Sequence, residues 1–77
     1  MHFEIGKYYK GNRPDVYTKI FLIFLVLEVG DSGWVRAKVW VPSANYGNST
    51  EKWLNTNYLY DIQEIEDIKK QFPDFPR

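Results

Sequence analysis

Trp34-Val35-Arg36-Ala37-Lys38-Val39-Trp40-Val41 is the stretch that decides the fold. Aliphatic residues stand at positions 35, 37, 39 and 41, and indoles and cations stand at 34, 36, 38 and 40. Successive side chains of a strand point to opposite faces. The alternation therefore predicts a half-buried β-strand over 34–41, with aliphatics turned inward and a Trp34/Arg36/Lys38/Trp40 row turned outward. Pro42 has no N–H to give to a ladder and ends the strand.

Upstream lies a second β-like segment, 16–29, which contains the apolar run Ile20-Phe21-Leu22-Ile23-Phe24-Leu25-Val26-Leu27. Periodicity alone does not separate a buried strand from a buried helix in such a run. Three features select the strand. β-Branched and aromatic residues dominate, no N-cap with an acidic first turn precedes the run, and the tight turn Gly30-Asp31-Ser32-Gly33 follows it. Fourteen residues exceed the usual strand length of about 5–6, which predicts a bent strand shared by two parts of a curved sheet. Apolar residues at both parities predict burial on both faces, or a homodimer contact on one.

Working outward, 3–10 reads as a first strand with a bend or bulge at Gly6, and Gly11-Asn12-Arg13-Pro14-Asp15 reads as a turn. Residues 42–50 form a long loop of the kind that carries binding residues. Glu51-Lys52-Trp53-Leu54 is a short strand or one helical turn, 55–57 is a turn, and 58–62 alternates again as a strand. Ile62, Ile65, Ile68 and Phe72 fall at helical spacing, which predicts a helix near 64–72. Its acids Glu64, Glu66 and Asp67 come early and its cations Lys69 and Lys70 late, as a helix dipole favours. Pro73 closes it, and 73–77 is an extended tail.

The 77 residues make room for a single domain, 1–77. With no cysteine and one histidine, neither a disulfide nor a Cys/His zinc site is available. Three Trp, six Tyr and five Phe supply the burial that such staples would otherwise provide. Ten basic and ten acidic residues give zero formal charge, which argues against duplex-DNA binding by charge. The opening Met1-His2-Phe3-Glu4 lacks the basic and apolar regions of a signal peptide, and the apolar run falls short of the about 20 residues of a spanning helix. The expectation is a cytoplasmic protein with no membrane partner.

The layout of four or five short strands and a terminal helix resembles the SH3-like small barrels, which include Tudor and chromo-type modules. The resemblance implies a mainly β fold: a small curved antiparallel sheet or SH3-like barrel with a short C-terminal helix. The opening Phe3-Glu4-Ile5-Gly6-Lys7-Tyr8-Tyr9-Lys10-Gly11-Asn12 is similar to the first strand of small uncharacterised bacteriophage proteins. That likeness implies an origin and no chemistry.

The outward row is the leading candidate site. Trp34, Arg36, Lys38 and Trp40, with Tyr46 and Trp53, have the composition of a protein-binding surface, because Trp and Arg are enriched at interface hot spots. The same row could stack bases and hold phosphates of a single-stranded nucleic acid. Equally, the long second strand, the C-terminal helix or a second subunit could cover both indoles, leaving the cations at the rim. Tyr8, Tyr9, Trp53, Tyr58 and Tyr60 with Asp61 have the composition of an aromatic cage for quaternary ammonium groups, although tyrosines on strands more often pack. Glu64, Glu66 and Asp67 read as charges at a helix start before they read as a metal or acid–base cluster. His2 has no nucleophile to join, and no phosphate-cradling glycine motif is present. The expected function is a non-enzymatic protein-binding module without cofactor or metal. It binds another protein or itself, and a phage-encoded modulator of a host protein fits the second resemblance. Single-stranded nucleic-acid binding is the alternative.

Overall fold

A computed structural model describes residues 2–14, 20–42 and 49–76. Five antiparallel strands form one open sheet in the order β4-β3-β2-β1-β5. They are β1 (Tyr8–Asn12), β2 (Phe21–Val29), β3 (Trp34–Trp40), β4 (Thr50–Asn55) and β5 (Tyr60–Ile65). A 3-10 turn (Thr56–Tyr58) joins β4 to β5, and one helical turn, α1 (Ile68–Gln71), follows. Of the expected antiparallel sheet or SH3-like barrel, the sheet is the form found, and it is not closed.

β2 lies in the middle of the sheet and is buried on both sides, which accounts for its apolar residues at both parities. Leu22, Phe24 and Val26 face the first core cluster with Phe3, Tyr9, Val35, Ala37 and Val39. Ile23 faces a second cluster on the opposite side with Trp40, Ile65 and Phe75. Clusters of the chain itself lie on both faces of β2, the first of the two readings given for its apolar parities. Register supports the division: Tyr9 pairs with Phe24, and their rings stack at 5.6 Å. The expected bend in β2 is a register shift between Val26 and Glu28.

The strand over 34–41 forms as Trp34–Trp40 with the expected inward aliphatics. Other boundaries move. Gly11 and Asn12, expected in a turn, belong to β1, whereas Phe3 lies outside any strand and caps the first cluster. Of the strand expected over 16–29, residues 21–29 form it, and 16–19 lie outside the described residues. The strand expected at 58–62 runs instead from Tyr60 to Ile65.

The helix expected near 64–72 shrinks to Ile68–Gln71, because Glu64 and Ile65 pair with Tyr9 and Tyr8 of β1. The spacing misled for a definite reason. Ile62 and Ile65 are three apart, which is one face of a helix but opposite faces of a strand. Ile62 packs on the first cluster, and Ile65 joins Ile68 and Phe72 on the second. Asp67 is the N-cap rather than a first-turn acid, its carboxylate accepting from the Lys70 N–H at 3.2 Å.

Candidate functional site

The residues of the predicted outward row leave one side of β3 but meet different surroundings. Trp34 is 43% exposed and Trp40 only 8%. The chain after α1 folds back so that the Phe75 ring meets the Trp40 indole edge-on, with centroids 5.6 Å apart, and meets Tyr8 at 5.2 Å. The expectation of a row with both indoles in solvent is therefore corrected: Trp40 is a core residue. Its indole N–H has no acceptor among the described residues.

Arg36 is held rather than free. Its guanidinium donates to Glu28 on β2 at 3.2 Å and to Glu51 on β4 at 3.0 Å, bridging three strands. Lys38 lies opposite Glu51 in the ladder. Trp53 is opposite Arg36 and is 47% exposed, so it is a diagonal neighbour of Trp34 on the outer face. The Trp53 ring reaches over Gly30 so closely that a β-carbon there would lie 2.9 Å from it. Tyr46 lies outside the described residues. The structure thus gathers Trp34, Arg36, Lys38 and Trp53 into one patch and removes Trp40 from it.

The same patch adjoins a sheet edge. The Gly30 N–H donates to the Trp34 carbonyl on the β2 side, and the Thr56 N–H donates to the Gly33 carbonyl on the β4 side. Because backbone groups alternate along a strand, Val35, Ala37 and Val39 bond toward β4, where their partners are Leu54, Lys52 and Thr50. The N–H and C=O groups of Glu51, Trp53 and Asn55 therefore point away from the sheet, and no described strand pairs with them.

The other edge is built differently. β5 carries a positive φ of 51° at Asp61 and a register shift against β1, and its Glu64 meets Lys7 at 3.6 Å. Bulges and charge are the usual ways of blunting an edge. The β4 ladder runs six residue pairs without a shift. A latch holds the end of β4. The Asn57 side chain donates to the Ser32 carbonyl at 2.6 Å, and the Thr56 hydroxyl donates to the Gly33 carbonyl. Both tie the 3-10 turn to the β2–β3 hairpin.

The other groups considered from sequence do not assemble into a site. Tyr8 and Tyr9 face opposite clusters, and the Tyr9 hydroxyl is buried where it accepts from the Glu4 N–H at 3.0 Å. They cannot form one cage with Trp53. Among the described residues no three His, Asp or Glu side chains converge as metal ligands, and no helix is long and apolar enough to cross a membrane. Away from the patch, Lys7 hydrogen-bonds Glu4 at 2.7 Å and holds its carboxyl below the usual range, while Glu4 holds the Lys7 ammonium above its own.

Sequence reasoning picked out Trp34, Arg36, Lys38 and Trp53 but missed the edge. It also missed an apolar groove on the face of the first cluster, lined by Leu22, Val39, Leu54 and Leu59 with Arg13 and Lys52 beside them. The signal was the alternation of Glu51 and Trp53 against Lys52 and Leu54, which marks β4 as a strand with two distinct faces. Comparison with known protein families, curated proteins and solved structures gives no match.

Proposed function

We propose that this protein is a non-enzymatic binding module that takes an extended segment of a partner protein along the β4 edge, beneath Trp34 and Trp53. The observation that carries this reading is the unbulged β4 edge, unpaired among the described residues, that adjoins two half-exposed indoles. Added strands gain affinity from main-chain hydrogen bonds and specificity from alternate side chains. Here the N–H and C=O groups of Glu51, Trp53 and Asn55 supply the first, and the Trp34/Trp53 surface supplies the second. Large, rigid aromatics are the usual anchors of such contacts.

The strand count and the terminal helical turn are those of the SH3-like layout, but the sheet is open rather than closed. The resemblance of residues 3–12 to phage proteins, read from the sequence alone, is what makes a host protein the partner in this reading. The single-stranded nucleic-acid alternative counted on two indoles and two cations. Trp40 is buried, and Arg36 is already paired with two carboxylates.

The test is panning of a random peptide library. Peptides rich in extended-chain formers are expected to be enriched. Glu51→Pro removes an outward N–H without touching the β3 ladder, so it should abolish capture. Glu51→Gln removes only the charge and should retain it. Trp53→Ala should weaken capture about thirtyfold, the size of a hot-spot loss of about 2 kcal/mol. Failure to enrich any extended peptide, or equal capture by Glu51→Pro, defeats the reading.

A further inference from the structure

The two ends of the inner face are finished differently. At one end Phe3 closes the first cluster, edge-on to Tyr9 at 5.0 Å and tilted against Phe24 at 5.9 Å. At the other end the wall of Leu22, Val39, Leu54 and Leu59 stays open as a groove of about 420 Å³. That volume falls within the about 300–1,000 Å³ of small-molecule sites. Arg13 and Lys52 stand at this groove, one contributed from the end of β1 and one from β4. Both belong to the inner face: Lys52 has the parity of Leu54, and Arg13 that of Tyr9 and Gly11. Arg36 and Lys7 are bridged to carboxylates of their own chain. Arg13 and Lys52 have no such bridge among the described residues.

We propose that this groove binds a small aliphatic carboxylate, its chain lying on Leu22, Val39, Leu54 and Leu59 and its charge held between Arg13 and Lys52. The chemistry of the lining selects the class. Aliphatic walls favour an unbranched or branched alkyl chain, whose burial yields about 0.8 kcal/mol per methylene. Two cations beside an apolar wall match one monoanionic head. A phosphate would leave further oxygens against aliphatic carbon, where an unpaired polar group is costly. Tyr58, 71% exposed on the same lining, supplies a hydroxyl that can donate to the head group. The site is separate from the outer patch, because Lys52 and Leu54 point to the face opposite Glu51 and Trp53.

The experiment is a methyl-detected NMR titration with hexanoate, octanoate and decanoate, each below its micelle concentration. Saturable shifts are expected at the methyls of Leu22, Val39, Leu54 and Leu59, with affinity rising about fourfold per added methylene, the equivalent of 0.8 kcal/mol. Decanol and decylammonium should bind more weakly than decanoate. Arg13→Gln and Lys52→Gln should each weaken decanoate by about two- to fivefold, the range of an exposed ion pair. The double variant should bind decanoate no better than decanol. Both positions are exposed, and an unchanged spectrum of the core methyls confirms that the variants fold. Shifts confined to the outer face, decanol binding as tightly as decanoate, or absence of saturation overturns the proposal. Glu51→Pro should leave decanoate binding unchanged, so the peptide edge and the carboxylate groove fail separately.

Discussion

Trp34 and Trp40 leave the same side of one strand, six residues apart, and end in opposite surroundings. Around Trp40 the sheet offers Ile23 from the adjacent β2 and, farther across, Ile65 from β5, and the turn after α1 brings Phe75 against the same cluster. Around Trp34 the neighbours are Asn55, Trp53, the glycine turn and the Arg36 ion pairs, and the indole stays 43% exposed. Strand geometry sets which side a ring leaves from. What covers it depends on where distant chain returns, and here the return reaches only one end of β3.

That contrast can be broken most directly at Trp40. Trp40→Ala should cost about 3–5 kcal/mol in denaturant unfolding, as for other buried large aromatics. Trp40→Phe sharpens the point. The indole N–H is buried without an acceptor among the described residues, and removing an unsatisfied donor recovers part of the lost burial. The expected loss is well under half that of the alanine variant. A Phe variant as costly as Ala would mean that the N–H has a partner.

The exposed end of β3 rests on its turn. Gly33 has φ 86°, and a β-carbon there would come within 2.7 Å of the Asn57 side chain that latches the hairpin. Gly33→Ala should cost about 1–3 kcal/mol and raise amide exchange at Thr56 and Asn57 before the rest of the sheet. Tyr9→Phe tests a single buried polar contact in the first cluster, the bond from the Glu4 N–H. Its expected cost is about 1 kcal/mol, with the Tyr9–Phe24 stack intact. Trp34→Ala should change stability by less than about 0.5 kcal/mol, as for an exposed position. Acrylamide should quench the fluorescence of Trp34 and Trp53 while sparing Trp40, read from single-tryptophan variants.

The smallest effect is electrostatic. The Glu4 carboxyl, lowered first by its hydrogen bond to Lys7, contributes stability above the ordinary carboxylate pKa and loses it as pH falls through the lowered value. Lys7, raised by the same contact, contributes below its ordinary pKa and loses that contribution as pH rises through the raised one. Both groups are exposed, so the signature is a titration midpoint more than a change in unfolding. Lys7→Ala should move the Glu4 midpoint upward in a carboxyl NMR titration.

The strand of residues 34–40, its aliphatic inner face and the double-sided burial of β2 were legible in the chain. Alternation and composition are local, and a strand has only two faces on which to sort side chains. Trp34 was legible as an outward aromatic for the same reason, whereas Trp53 stood in a segment that read equally as a short strand or one helical turn. The spacing of Ile62, Ile65 and Ile68 was not decisive, because a step of three marks one face of a helix and both faces of a strand.

Other features depend on chain that is distant in sequence. The burial of Trp40 requires Phe75 to return across the sheet. The β4 edge, free among the described strands, requires β5 to pair with β1 rather than β4. The groove requires Arg13 and Lys52, far apart in sequence, to face one wall. Local alternation determined the inward and outward sides of each strand. Only tertiary packing decided which outward residues stayed in solvent, because burial depends on what returns from elsewhere to cover them.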